Sequence, residues 1–437
     1  MSTTSAAPSL ARQLFTMTWP MLFGVLSLMS FQLVDSAFIG QLGILPLAAQ
    51  GFTLPMQMLI IGLQVGLGIA TTAVISRALG ADKPRCAKQL GGLIILIGGV
   101  GVALFCGLIW LLRYVILTLL SAPESVLVVI DSYWPWWLLS AWIGAMLYFY
   151  YSICRANGNT MLPGILMMVT SGLNLLFDPI FIFTLGFGIN GAAMATCLAF
   201  TIGLAVVIPR VMQRQWLVFN FSDISIFNSV KTIGNIMGPA MISQLLPPLS
   251  SMLATKLVAG FGTAAVAAWA LGSRYEFFAI VAVLALTMSM PPMIGRLLGA
   301  NNITDIRQLV LLASKFILGL QLAIAVLTWL AAAPLATLMT SDAEVAKILT
   351  WHLMLTPISL GMLGVCMLLV SVNNALAKSM NALWISSLRL FVCFLPCCWL
   401  GAHFGGMYGL LWGAAVGNVL AGIMAWWMYQ QALKTFN

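Results

Sequence analysis

SRALGADKPRCAKQL, residues 76–90, returns 219 residues further on as GRLLGANNITDIRQL, residues 295–309. Arg77, Leu79, Gly80 and Ala81 fall on Arg296, Leu298, Gly299 and Ala300, and Lys88, Gln89 and Leu90 fall on Arg307, Gln308 and Leu309. Working outward without a gap, the same offset sets Pro20 on Pro239, Gly43 on Gly262, and Ala48 and Ala49 on Ala267 and Ala268. The chain is written twice, and whatever fold one half adopts the other is expected to copy.

Each copy is almost entirely apolar. The 437 residues are 62% hydrophobic and 7% charged, against about 25% charged in an average soluble domain. Apolar runs of about 20 residues alternate with short polar breaks, and in lipid each run must satisfy its own backbone hydrogen bonds, which makes it a helix. Twelve such spans are expected, over 14–39, 47–76, 90–112, 128–152, 161–185, 191–211, 236–258, 266–294, 308–332, 347–370, 380–400 and 407–429. No ten-residue alternation suggests a membrane β-barrel. The fold class is an all-α integral membrane protein with two six-helix lobes. Six is even, so the lobes enter the bilayer from the same side and form parallel repeats about an axis along the membrane normal. The expected organisation is an N-terminal lobe over 1–211, an interfacial connector over 212–235 with interleaved aromatic and polar residues, and a C-terminal lobe over 236–437.

The net charge of +9 does not indicate nucleic acid, because its distribution follows the spans. Of the nineteen Lys and Arg, thirteen fall in the loops and ends on the side of the N-terminus and two, Arg113 and Lys347, on the other. That asymmetry places both termini in the cytoplasm of a bacterial inner-membrane protein. The first apolar run reads as a helix, not a leader. Eight cysteines and two histidines show no zinc spacing. No resident cofactor or metal is expected, beyond a proton or a sodium ion, and no H-E-x-x-H or G-x-S-x-G motif suggests an enzyme.

Two acids lie inside apolar spans, Asp35 and Asp178. A charge at a helix centre costs roughly 2.5 to 3.5 kcal/mol on insertion scales, so its presence is a functional hypothesis by default. Asn174 and Asp178 are four apart and share a helix face. Counting depth along alternately directed spans brings Tyr133 and Thr196 to the same outer level. Five polar groups thus converge in the N-terminal lobe with no basic residue in the interior of its spans. Interhelical hydrogen bonding, about 0.6 kcal/mol per contact in membrane bundles, would suit Asn174 and Thr196 alone. Two uncompensated carboxylates suit a cation or proton site instead, in which at least one proton is expected to be held. Sodium, which favours hard oxygen ligands, is the alternative occupant.

The second half does not copy this site. Ala254 stands for Asp35 and His352 for Tyr133, while Lys256, Arg274, Glu276 and Arg389 form a different polar set, expected to be an ion-paired cluster of Glu276 with three bases. Pro20 lies inside the first span and permits a bend. Gln50, Gln57 and Gln64 recur every seven residues, so Gln57 and Gln64 are candidates for lining a substrate cavity.

These residues resemble the MATE (multidrug and toxic compound extrusion) family, DinF branch, over essentially the whole chain. The resemblance rests on Pro20, on the acid of FQLVDSAFIG (31–40), on LAAQG (47–51), on the SRALGADKP stretch, and on LNLLFDP (173–179). It implies a secondary antiporter of two lobes that exports lipophilic, often cationic, drugs against protons or sodium, with the cation site at Asp35, Asn174, Asp178, Thr196 and Tyr133. Acids that the NorM branch places in its C-terminal lobe are missing, which favours protons. The expected partners are small molecules and the lipid bilayer, and the expected state is a monomer. A flippase for lipid-linked precursors, using the three bases to hold a pyrophosphate, and a passive channel are the alternatives. A nucleotide-driven pump is excluded by the lack of a G-x-x-x-x-G-K-[ST] loop.

Overall fold

The computed structural model describes residues 9–434. They form fourteen α-helices: α1 (Leu10–Gly40), α2 (Ile44–Gly80), α3 (Pro84–Leu111), α4 (Arg113–Leu119), α5 (Glu124–Ala156), α6 (Met161–Pro179), α7 (Gly188–Gln213), α8 (Ile226–Ala259), α9 (Thr263–Ala279), α10 (Val281–Gly299), α11 (Ile303–Met339), α12 (Ala343–Ala375), α13 (Ser379–Leu388) and α14 (Leu395–Lys434). A π-helical turn, Ile180–Thr184, continues α6, and another, Arg389–Phe394, joins α13 to α14. Among the described residues ten helical stretches are long and apolar enough to cross a membrane. One of them, Ser379–Lys434, folds back at Gly406 (φ 60°, ψ −145°). The twelve crossings are completed by the two arms of that hairpin, by α8, and by α9 running on into α10.

The duplication is visible in the backbone. Gly43 and Gly262, which cap α2 and α9, sit at φ 108° and 101°. Asp82 and Asn301, each following a helix, both take the left-handed φ of 56°, a conformation that Asn and Asp tolerate better than other side chains. Equivalent turns therefore solve equivalent corners in both halves.

Two compact units result. One is Met17–Met241; the other is Ile242 onward together with the start of α1 up to Thr16. Three helices depart from the sequence expectation. The helix expected from 236 begins at Ile226, so the end of the anticipated connector is already helical. The span expected to run unbroken over 266–294 is interrupted at Ile280, where the Gln321 side chain inserts and donates to the freed carbonyl of Ala279 at 3.0 Å, a recognised cause of helix breaks. Pro20 lies a full ten residues past the start of α1, which stays helical through it.

The remaining connector docks on the N-terminal unit. Gln89 and Asp223 bond reciprocally: Gln89 Nε2 donates to Asp223 Oδ2 at 3.0 Å, and the Asp223 N–H donates to Gln89 Oε1 at 3.1 Å. The Val218 N–H donates to the Lys88 carbonyl at 3.1 Å. Its own carbonyl lies against Gly92, where a Cβ would collide with it.

Candidate functional site

The acidic site is built from three helices. α1 brings Asp35 one and a half turns before its end, α6 brings Asn174 and Asp178 from one face, and α7 supplies Thr196. α1 and α6 approach closely because small residues face each other: a Cβ on Gly24 would lie 3.1 Å from the Gly164 carbonyl. Such contacts let helix backbones meet where lipid offers no hydrophobic drive.

Asp178 and Asn174 are fully buried, both at 0% exposure. Asn174 turns its amide so that Nδ2 donates to Asp178 Oδ1 at 2.8 Å and Oδ2 at 3.3 Å, while its oxygen accepts from Thr196 Oγ1 at 3.0 Å. The reverse orientation would set the amide oxygen against the carboxylate, two acceptors face to face. Asp35 is half-buried and lies within hydrogen-bonding reach of Asp178. Two carboxyl groups share a hydrogen bond only when a proton sits on one of them. Oδ1 of Asp35 is shielded from solvent and has no partner. Tyr133, 5% exposed, lies within electrostatic reach of Asp35. No Lys, Arg or His pairs with either acid among the described residues. The five groups singled out from the sequence are thus brought together around the two facing carboxyl groups.

The same residues hold oxygens that a monovalent cation can use, and the amide of Asn174, which can turn either its N–H or its oxygen to the acid, serves a proton or a cation equally. Among the described residues no group of three or more His, Cys, Asp and Glu side chains is arranged to hold a metal ion.

The C-terminal cluster is corrected. Glu276 is not paired with Lys256, Arg274 or Arg389; its partner is His352, whose Nε2 lies 2.8 Å from Glu276 Oε1. Lys256 and Arg274 are exposed. Arg389 starts the second π turn, half-buried, beside Cys366, with Nε shielded and unpartnered. Spacing alone could not reveal the true pair, because its two members lie on separate helices. The one available signal was that His352 takes the repeat position of Tyr133. Gln50, Gln57 and Gln64 are all half-exposed on α2.

The MatE family model matches residues 20–180 and 239–400, one match in each half. The FAD transporter of Shewanella oneidensis is 29% identical over 432 residues, covering 97% of this chain and 95% of that protein. The multidrug export protein MepA of Staphylococcus aureus is 24% identical over 412 residues, 93% and 90% of the two chains. Among solved structures, the Vibrio cholerae MATE transporter VcmN in its bent form is 69% identical, with a TM-score of 0.96 over 98% of both chains. A MATE structure in the straight conformation, 23% identical with a TM-score of 0.92 over 98% and 97% of the chains, shares the fold.

Proposed function

Since this chain belongs to the MATE family of membrane transporters, we propose that it is a proton-driven antiporter exporting lipophilic, often cationic, small molecules. The observation that carries this reading is the pair Asp35 and Asp178, two carboxyl groups within hydrogen-bonding reach of each other and with no Lys, Arg or His paired to either among the described residues. A site of that composition changes its net charge by one whenever a proton arrives or leaves, and a buried charge is a strong lever on packing. Facing outward, Asp35 and Asp178 take up protons and substrate leaves. The two lobes then rock, the protons pass to the cytoplasm, and the substrate-binding form is restored. The protein works in this reading as a monomer in the bacterial inner membrane with both termini cytoplasmic, and neither nucleic acid nor an enzymatic step takes part.

Protons supply enough drive. About 100 mV contributes ~2.3 kcal/mol per charge, and one pH unit contributes ~1.4 kcal/mol. The test is efflux of ethidium, a lipophilic monovalent cation, from vesicles carrying the reconstituted protein, with a pH gradient or a sodium gradient imposed alone. The pH gradient drives efflux in the wild type, and Asp35→Asn or Asp178→Asn, still folded, removes it. Sodium-only drive, or unchanged efflux in both variants, overturns the reading.

One observation favours a second substrate class. The Shewanella relative is named a FAD transporter, and the exposed Lys256 and Arg274 carry no ion-pair partner among the described residues. They suit a pyrophosphate-bearing substrate, whether a dinucleotide or a lipid-linked precursor. FAD-loaded vesicles run beside the ethidium ones separate the two.

A further inference from the structure

His352 is 1% exposed and sits at the centre of the C-terminal unit. Its Nε2 is bound to Glu276, yet its Nδ1 is buried and has no partner. A histidine kept only to complete an ion pair has its second nitrogen fixed by a carbonyl, carboxylate or water, since a buried polar atom left unmade costs about 1–3 kcal/mol. Here the chain makes room for the ring instead. A Cβ on Gly272 would fall 2.5 Å from the imidazole, and Trp269 lays an edge against it at 5.4 Å. The His352 carbonyl accepts from the Thr356 hydroxyl, immediately before Pro357, so the ring stands one turn from an interruption in the α12 ladder.

The surroundings define the charge. α9 contributes Glu276 and Tyr275, the latter hydrogen-bonded to Thr328 of α11. α14 contributes Cys398, within electrostatic reach of Glu276. α13 has no titratable residue, and the only one on α10, Arg296, stands in its last turn. Lys315 lies about three and a half turns before Thr328 on α11, and Arg389, at the start of the second π turn, lies beside Cys366, nearly four turns beyond His352 on α12. α12 itself carries Glu344 and Lys347 in its first two turns, and α9 carries the exposed Arg274 two residues before Glu276; among the described residues neither Glu276 nor His352 makes an ion pair with any of them, only with each other.

We propose that Glu276 and His352 form a second proton-carrying site, loaded and emptied once per transport cycle; this rests on the proton-coupled reading above. In the arrangement seen, Nε2–H donates to the carboxylate and Nδ1 is bare. A proton arriving from the water binds the Nδ1 lone pair and creates an N–H with no acceptor in this packing. Loading therefore favours an arrangement of α9 and α12 in which Nδ1–H gains an acceptor. Such a site answers a need of the transport reaction. Exchanging one proton for one monovalent cation cancels the voltage, leaving only about a tenfold gradient per pH unit.

The chain has two histidines, His352 and His403, so ¹⁵N-histidine labelling of the His403→Gln protein leaves His352 as the sole ring signal. That signal should pass from a bare to a protonated Nδ1 when the medium is acidified; a ring that stays bare overturns the proposal. In vesicles held at zero voltage with one pH unit across them, His352→Gln should lower the steady-state ethidium gradient about tenfold, the loss of one coupled proton. A gradient equal to the wild type overturns the proposal while leaving the Asp35 site standing. Asp35→Asn reports separately, since retention of pH-driven efflux there sinks the underlying reading first. Should His352→Gln fail to give a monodisperse protein, Glu276→Gln takes its place in the transport assay, with the same two outcomes, and the titration of the His403→Gln protein stands on its own.

Discussion

The carbonyl of Pro20 faces the α-carbon of Gly164 so closely that no methyl group fits between α1 and α6. Gly164→Ala should therefore push apart the two helices that bring Asp35 to Asp178. Overpacking of this kind costs about 1–3 kcal/mol, and pH-driven efflux should fall with it. Gly172, on the same helix, has open space beside it, so Gly172→Ala should leave transport intact and gain up to ~1 kcal/mol of helix propensity. Thermal melting and ethidium efflux of the two variants side by side decide whether this contact matters; equal behaviour would mean that it does not.

The bridge through Asn174 should show graded losses. Asn174→Ala strips the buried Asp178 of its donor and should lower stability by about 1–3 kcal/mol, together with pH-driven efflux. Thr196→Ala keeps the bond from amide to acid and should cost about 1 kcal/mol or less. The ranking, read from melting temperatures, reverses if Thr196 and not Asn174 holds the acid.

The acidic site was legible in the sequence for a simple reason. Asp35 and Asp178 are ionisable groups in apolar spans, and a carboxylate there stands out whatever the fold. The four-residue step from Asn174 to Asp178, and the alternating direction of spans, were enough to bring the rest to one level. The twelve helices were legible too, because lipid permits little else and because the repeat doubles every signal. What the sequence hid were contacts made across helices. The break at Ile280 depends on Gln321, on a different helix. The partner of Glu276 comes from α12, while the three bases suggested by charge alone are elsewhere. The early start of α8 at Ile226 was masked by polar residues that read as a linker.

Docking of the connector predicts a protease phenotype. Gly92→Ala would drive a methyl group into the Val218 carbonyl, and Gln89→Ala would remove both bonds to Asp223. Either change should speed tryptic cleavage at Arg214, whose guanidinium stacks over Trp216 at 4.9 Å, without altering the melting of the rest. An unchanged cleavage rate in both would show that the connector is held by other contacts.

Topology can be read from one thiol. All eight cysteines are free, and only Cys86 and Cys397 are even partly exposed. Cys86 begins α3, on the side that the positive charges assign to the cytoplasm. A membrane-impermeant maleimide should label it in inside-out vesicles and spare it in intact cells; labelling from outside would invert the assigned orientation.

The two π turns bear on history as well as on mechanism. A π turn is an α-helix carrying one surplus residue, which rotates everything beyond it by about 100°. One follows Asp178 and Pro179; the other begins at Arg389, in the matching fifth crossing of the second half. The first closes a 19-residue helix and the second interrupts its crossing after only 10 residues, so the two turns fall at different levels. Each half has re-aimed its fifth helix in its own way, and the acid in one and the guanidinium in the other accompany separate bends.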